Sequence, residues 1–580
     1  MGESTRPLPP LIPLSNGGWE VNSFLSSAEY TIRGMGLMPA NRVVPVIVVP
    51  GIMGTNLRAK RQPRLGRKPD ERHERVAPGT PVWRAPNGTK EGLTTAAKWN
   101  TYAPRDRQLL LAPATLEVDE TGPVVIPDPD DGYVLTEQEA RQAGWGEVHA
   151  DSYAKLLNAL QRGLNQTFEF DENKKKRLIR QHWKDVMACD PQSWGLREFE
   201  PLTETHLEKH AKHYFPVYAV GYCWLDDCQR SSERLERRIL EIIDFWTKAK
   251  RRCDKVILVT HSMGGLVARA CAKRVPNKIA GVIHGVMPVF GAPAAYRRIA
   301  FGTEKSSPSN GQYENLVAQG LAKILGDTSA KTTAVLATSP GALELLPNRQ
   351  YPQPWLHVRV IKSLGAALPA SYGARDDAVR YKTAPFDALH LPNSKVANPY
   401  DLYRDMQSWY RLIDPALADP ARKYRNVKGG VTNAIENAID TAEKFHDELG
   451  NYFHPNTYAF YGNDRDKLSF GQIRLMANQS SGSDTALTTA NIAAARYIGS
   501  TVRGQRRVLV EEKTELHFEP EPQESPGDGT VPHQSGEANM AGKIEQVFVG
   551  HGFEHQESYN NDDMVMLTLR LVAKIVQEMP

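Results

Sequence analysis

The chain has 580 residues, of which 24% are charged and 41% hydrophobic, and its formal net charge is only +4. Charge this balanced excludes wholesale binding to nucleic acid, and the length is enough to bury a large core or several domains. The five cysteines (Cys189, Cys223, Cys228, Cys253, Cys271) are odd in number and lack metal-site spacing, which argues against a disulfide framework and fits synthesis in a reducing cytoplasm.

Residues 1–40 read as an N-terminal segment in which Pro7, Pro9, Pro10 and Pro13 interrupt the few apolar residues, so a continuous signal-peptide core of the Sec type is missing. The longest apolar run, residues 43–53, is too short and too broken by proline and glycine to cross a bilayer. It predicts a buried strand at 43–50 that ends in Gly51-Ile52-Met53-Gly54. Basic stretches at 58–75, 174–180 and 248–252 read as solvated faces, with attraction to anionic lipid headgroups as the functional alternative. No cofactor is expected, though the acidic loop at 128–131 is where calcium would bind.

Further along, residues 215–222 are rich in aromatic and β-branched residues and predict a second strand. Leu235, Ile239, Leu240, Ile242, Ile243 and Trp246 make 231–248 an amphipathic crossover helix. Then follow a strand at 256–259, a helix from Leu266, and a buried strand at 279–290 closed by Gly291-Ala292-Pro293. Such alternation argues for a mostly parallel sheet. It is lost at 294–449, which reads as a cap or lid covering a site. There Leu316, Val317, Leu321, Ile324 and Leu325 share one helical face, suited either to packing on a core or to facing lipid. The strand pattern resumes at 457–462, a polar loop excursion occupies 463–526, and a last strand (544–549) and helix (564–576) close the chain. The division expected is thus 41–293 for the first part of the core, 294–449 for the cap, and 450–580 for the second part.

Chemistry concentrates at Thr260-His261-Ser262-Met263-Gly264-Gly265, where a strand turns directly into a helix at a serine. In such a nucleophile elbow the serine takes strained backbone angles that lift its hydroxyl above the sheet, and glycines let the helix approach. Ser262 is therefore the candidate nucleophile, with Thr260 standing where glycine is usual. A serine needs a base and a carboxylate that orients it, in the chain order Ser, Asp, His for this layout. Asp528, in the glycine turn Gly527-Asp528-Gly529, can supply the acid. The loop after the final strand offers His555 and His551 as bases. The backbone N–H groups of Met263 and Ile52 can form an oxyanion hole. His261, His284 and His533 read as structural.

These segments carry a family resemblance. Val48-Val49-Pro50-Gly51-Ile52-Met53-Gly54-Thr55-Asn56-Leu57 resembles the oxyanion loop of lecithin:cholesterol acyltransferase-like lipases. Gly221-Tyr222-Cys223-Trp224 resembles their Tyr-Asp-Trp-Arg segment, with Cys223 and Leu225 in place of its Asp and Arg. Ser339-Pro340 with Leu345-Leu346-Pro347 resembles part of their cap, and 527–532 and 552–555 resemble their acid and base loops, which favours His555 over His551. Pro50-Gly51-Ile52-Met53-Gly54 near the start and Glu554-His555-Gln556-Glu557-Ser558-Tyr559 near the end also resemble bacterial type VI secretion lipase effectors. The resemblance implies an α/β-hydrolase fold with large cap insertions, phospholipase activity on target-cell membranes, a cognate immunity protein and delivery by a type VI spike protein. Another esterase or acyltransferase, or a hydrolase scaffold that only binds, would fit the same pattern.

Overall fold

Two six-stranded sheets organise the computed structural model, which describes residues 12–13, 19–20, 40–60, 76–126, 135–171, 176–362, 385–479, 485–501, 504–537 and 543–579. Their strands, in chain order, are β1 (Val46–Val49), β2 (Val217–Ala219), β3 (Val256–His261), β4 (Ile279–Gly285), β5 (Leu356–Lys362), β6 (Phe386–Leu391), β7 (Thr457–Gly462), β8 (Ile473–Gln479), β9 (Arg496–Ser500), β10 (Arg506–Val510), β11 (Thr514–Pro520) and β12 (Gln546–Gly550). The helices that matter for the site are α1 (Ala150–Asn165), α2 (Cys228–Lys248), α3 (Gly264–Arg274), α4 (Gln312–Leu325), α5 (Gly430–Leu449) and α6 (Asp562–Glu578).

The first sheet runs β2-β1-β3-β4-β7-β12, and every pairing is parallel. Parallel strands need crossovers, and the crossover helices cover both faces. Every residue of β1, β3, β4 and β7 is accordingly buried. Alternate side chains then go to opposite sides: Ile47, Val49, Leu258 and Val282 meet α2 and α3, while Val46, Val48, Ile257, Val259 and Ile283 meet α1 and α6. The strand expected over 43–50 is two pieces, Arg42–Val43 and Val46–Val49. Pro45 separates them, having no N–H to give a ladder.

A second sheet, β6-β5-β8-β11-β10-β9, is mixed; only β5 and β8 pair in parallel. Residues 294–449, expected as a cap, and 463–526, expected as a loop excursion, both supply strands to this one sheet. The signal was period-two burial: Ile473, Leu475 and Ala477 point inward along β8 and Leu516 and Phe518 along β11, while the intervening residues are polar or only partly buried. Its inward side chains join the same apolar core as α2, α3 and α5. The N-terminal segment 1–39 lies almost wholly outside the described residues.

Candidate active site

The loops of Ser262 and His555 leave the C-terminal edge of the parallel sheet, and Asp528 is seated against the end of β7 at the same edge, where open α/β sheets hold their ligands. β3 ends at His261, and Ser262 follows with a φ of +52° before α3 begins at Gly264. A side chain in this left-handed region is strained and persists only where its surroundings enforce it. Here the enforcement is a 2.9 Å hydrogen bond from Ser262 N–H to the Gly285 carbonyl. Close approach does the rest: a Cβ on Gly264 would lie 2.4 Å from the Pro50 carbonyl oxygen, and one on Gly265 would lie 2.4 Å from Met287 Sδ. Thr260 fits the elbow because its hydroxyl shares a 2.8 Å hydrogen bond with buried His284, while its carbonyl accepts from Tyr559 Oη at 2.9 Å.

Ser262 Oγ donates to His555 Nε2 at 2.8 Å, and His555 Nδ1 donates to Asp528 Oδ2 at 2.7 Å. The Asp528 carboxylate is buried, and its other oxygen accepts from the N–H groups of Val531 at 2.7 Å and Thr530 at 3.0 Å. A further bond, His555 N–H to the Asp528 carbonyl at 2.7 Å, ties the two loops together. Although β8 to β11 intervene in sequence between β7 and Asp528, Gly462 at the end of β7 abuts that residue, where a Cβ would lie 2.8 Å from the aspartate's own. The excursion therefore leaves and returns at one place, and the acid keeps its position. His551 is exposed, sits in the field of Asp464, and is not the imidazole bonded to Ser262.

The loop at 51–54, the candidate oxyanion loop, lies against Ser262, since a Cβ on Gly51 would fall 2.8 Å from that of the serine. Gly51 N–H donates to Tyr153 Oη at 2.9 Å. Met53 has a φ of +64°, and its carbonyl accepts from Trp83 Nε1 at 2.8 Å, which holds the turn. Among the described residues, the N–H groups of Ile52 and Met263 have no partner, so both are free to meet a developing oxyanion. The cap closes over this point: a Cβ on Gly341 would lie 2.9 Å from Met263 Cε and 2.6 Å from the Trp224 carbonyl oxygen.

Burial depresses the imidazoles of His261 and His284 to about 3, with His555 adding to the effect on the first and Arg269 on the second. His533 bonds the Pro526 carbonyl. Tyr153 and Trp83 bond the loop at 51–54 but were not singled out from sequence, because each acts on a segment far from itself in the chain; Tyr559, read only as part of a motif, bonds the elbow at Thr260. Among the described residues no cluster of three or more His, Cys, Asp or Glu could hold a metal ion, and the acidic loop at 128–131 lies outside those residues.

Residues 227–330, from the start of α2 through the elbow, match the family of PGAP1-like alpha/beta domains. None of the curated proteins matches the sequence significantly. Among solved structures, the crystal structure of the Tle4–Tli4 complex contains a chain similar to this one, with a TM-score of 0.68 and 28% sequence identity, over 93% of this chain and 99% of that one. The similarity extends over nearly the whole of both chains and agrees with the resemblance to lipase effectors read from the sequence. The protein therefore has an α/β-hydrolase fold, with residues 227–330 similar to PGAP1-like alpha/beta domains and a whole-chain architecture similar to that of a chain in the Tle4–Tli4 complex.

Proposed function

We propose that the protein is a serine phospholipase that hydrolyses fatty acyl esters of glycerophospholipids and acts as a membrane-damaging toxin. The observation that carries this reading is the hydrogen-bonded chain Ser262–His555–Asp528, joined at 2.8 and 2.7 Å with its serine and aspartate buried and its histidine partly so. As Ser262 Oγ attacks the ester carbonyl, its proton passes to His555 Nε2, and Asp528 stabilises the imidazolium through Nδ1–H. The N–H groups of Ile52 and Met263 hold the tetrahedral oxyanion. The imidazolium returns its proton to the departing alkoxide, leaving an acyl-enzyme. Water then attacks that ester, giving one proton to His555 and regenerating the serine hydroxyl as the fatty acid leaves. Every step uses groups of the chain and water.

A lipid substrate is supported by α4, whose Tyr313, Leu316, Val317 and Leu321 are exposed although apolar. Leu93, on the helix Gly88–Asn100 that packs against α4, extends the patch. Arg107 bonds the carbonyls of Lys323 and Ile324 and fixes one end of α4, while Ser309 just before the other end accepts from Leu468 N–H, one residue beyond the Lys467 that pairs with Glu554 beside the base. An apolar surface next to the base loop suits work at a bilayer. The Tle4 chain was crystallised bound to Tli4, which supports a cognate immunity partner for this protein too; delivery through a type VI spike rests on the sequence resemblance. Among the described residues, no helix is long and apolar enough to cross a membrane.

Lipid analysis of phospholipid vesicles incubated with the protein tests the reading. Wild type is expected to yield lysophospholipid and free fatty acid, and Ser262→Ala neither. Turnover of small soluble esters without any lipid product would point to an esterase of another class.

A further inference from the structure

His261 and Tyr153 are fully enclosed polar side chains that no step above uses. They form one continuous hydrogen-bonded chain across the site. His261 Nε2 meets the His555 carbonyl at 2.8 Å, and a carbonyl only accepts, so this nitrogen carries the proton. With the imidazole held neutral by burial, Nδ1 is then an acceptor, and it receives the Tyr153 hydroxyl proton at 2.9 Å. The Tyr153 oxygen in turn accepts from Gly51 N–H at 2.9 Å. The direction of all three bonds is thus settled: Gly51 N–H to Tyr153 Oη, Tyr153 O–H to His261 Nδ1, and His261 Nε2–H to the His555 carbonyl. Contact is tight as well, since a Cβ on Gly51 would lie 2.7 Å from His261 Nδ1.

We infer that Tyr153 and His261 are positioning residues that set the oxyanion loop and the base loop relative to the nucleophile as one unit. Gly51 precedes Ile52, so fixing the Gly51 N–H fixes the peptide whose neighbour offers an N–H to the oxyanion. The His555 carbonyl belongs to the base itself, so holding it limits the swing of the imidazole. His261 adjoins Ser262 in sequence, which makes the elbow the common anchor. Helix α1 completes the frame, because the same helix that carries Tyr153 packs on the turn His555–Asn560, and Gln556 donates to Ser152 at 3.1 Å. An unsatisfied group anywhere along so buried a chain would be disfavoured, so its members hold or fail together.

The inference rests on the serine-esterase reading, and the test separates the two. Tyr153→Phe keeps the ring and removes only the hydroxyl. His261→Gln keeps a donor for the His555 carbonyl and loses the Nδ1 acceptor, whereas His261→Asn keeps the acceptor and loses the donor. Turnover of p-nitrophenyl butyrate, referred to sites titrated to completion with a fluorophosphonate, is expected to show kcat lowered about tenfold in each variant with KM changed less than about twofold, as befits a loss felt in the transition state. The double variant Tyr153→Phe/His261→Gln should be no slower than the slower single one. Wild-type kcat per titrated site in Tyr153→Phe, or a loss confined to KM or to the number of titratable sites, overturns the inference and leaves the triad intact. Failure of the wild type to react with the fluorophosphonate sinks the serine-esterase reading itself.

Discussion

The two sheets of this protein divide its labour. The parallel sheet has continuous apolar strands and carries Ser262 and His555 on the loops leaving β3 and β12, with Asp528 seated against the end of β7. The mixed sheet comes from two separate stretches, includes strands β8, β10 and β11 that alternate between buried and more exposed residues, and contributes none of Ser262, Asp528 and His555. Both share an apolar core through Leu258 and Val282 on one side and Val358, Leu475 and Phe518 on the other. The difference teaches that the candidate catalytic residues depend on strand ends, whereas the second sheet is assembled from segments remote in sequence.

If that division holds, damage at the strand ends should remove activity and leave stability, and damage in the second sheet should do the reverse. The largest effect is expected for Asp528→Asn, which keeps the shape but spoils the tautomer of His555. Turnover per folded molecule should fall by about 10⁴-fold with little change in melting temperature, measured by ester kinetics alongside thermal unfolding. Retained turnover would mean that another group orients the base.

Phe518→Ala probes the other sheet. The ring is fully buried and stacks on Trp409 with centroids 4.3 Å apart. Its removal should destabilise the fold by about 3–5 kcal/mol in denaturant titrations, while kcat per titrated site stays near wild type. Loss of kcat in the folded fraction would instead tie the second sheet to catalysis.

Acid sensitivity should follow the parallel sheet. His210, packed under that sheet against Phe215, is pushed by burial from an ordinary value of 6.5 to about 3, in common with His261 and His284. Between those two values the unfolded chain binds a proton that the folded one refuses. Stability is therefore whole above pH 6.5 and declines as pH falls through the window, by about 1.4 kcal/mol per pH unit for one group. His210→Gln should flatten the decline measured between pH 6.5 and 5 by that amount, and equal slopes for the two proteins would rule out a neutral buried imidazole.

The smallest effect on stability is expected at Leu316, which is 61% exposed on α4. Leu316→Ser should shift stability by no more than about 0.5 kcal/mol and leave soluble-ester turnover unchanged. Lipid release from vesicles should fall severalfold, and unaltered vesicle turnover would remove α4 from the membrane contact.

Much of this organisation was readable from the residues. Continuous apolar runs marked β1, β3 and β4, those of β1 and β4 closing in glycine, and the strand-to-helix turn at Thr260-His261-Ser262 marked the elbow, since both signals are local. Asp528 and His555 could be proposed because each follows a turn or strand that sends it toward the sheet's top edge. The family resemblance already favoured His555 over His551, and the fold gives the physical reason: one imidazole reaches Ser262 while the other stays on the surface. The second sheet escaped notice because Arg474, Arg507, Glu515 and Glu519 give its strands a loop-like polarity, and the pairing of β5 with β8 that joins its two halves links segments over a hundred residues apart.

What the chain determined alone, then, was the set of elements whose burial on two faces leaves a continuous apolar record, together with the strained turn that only a few residue types permit. Tertiary structure alone decided which partners meet: Tyr153 beneath Gly51 and His261, Trp83 beneath Met53, β5 beside β8. Contacts between distant segments depend on how loops close in space, and local sequence holds no record of that closure.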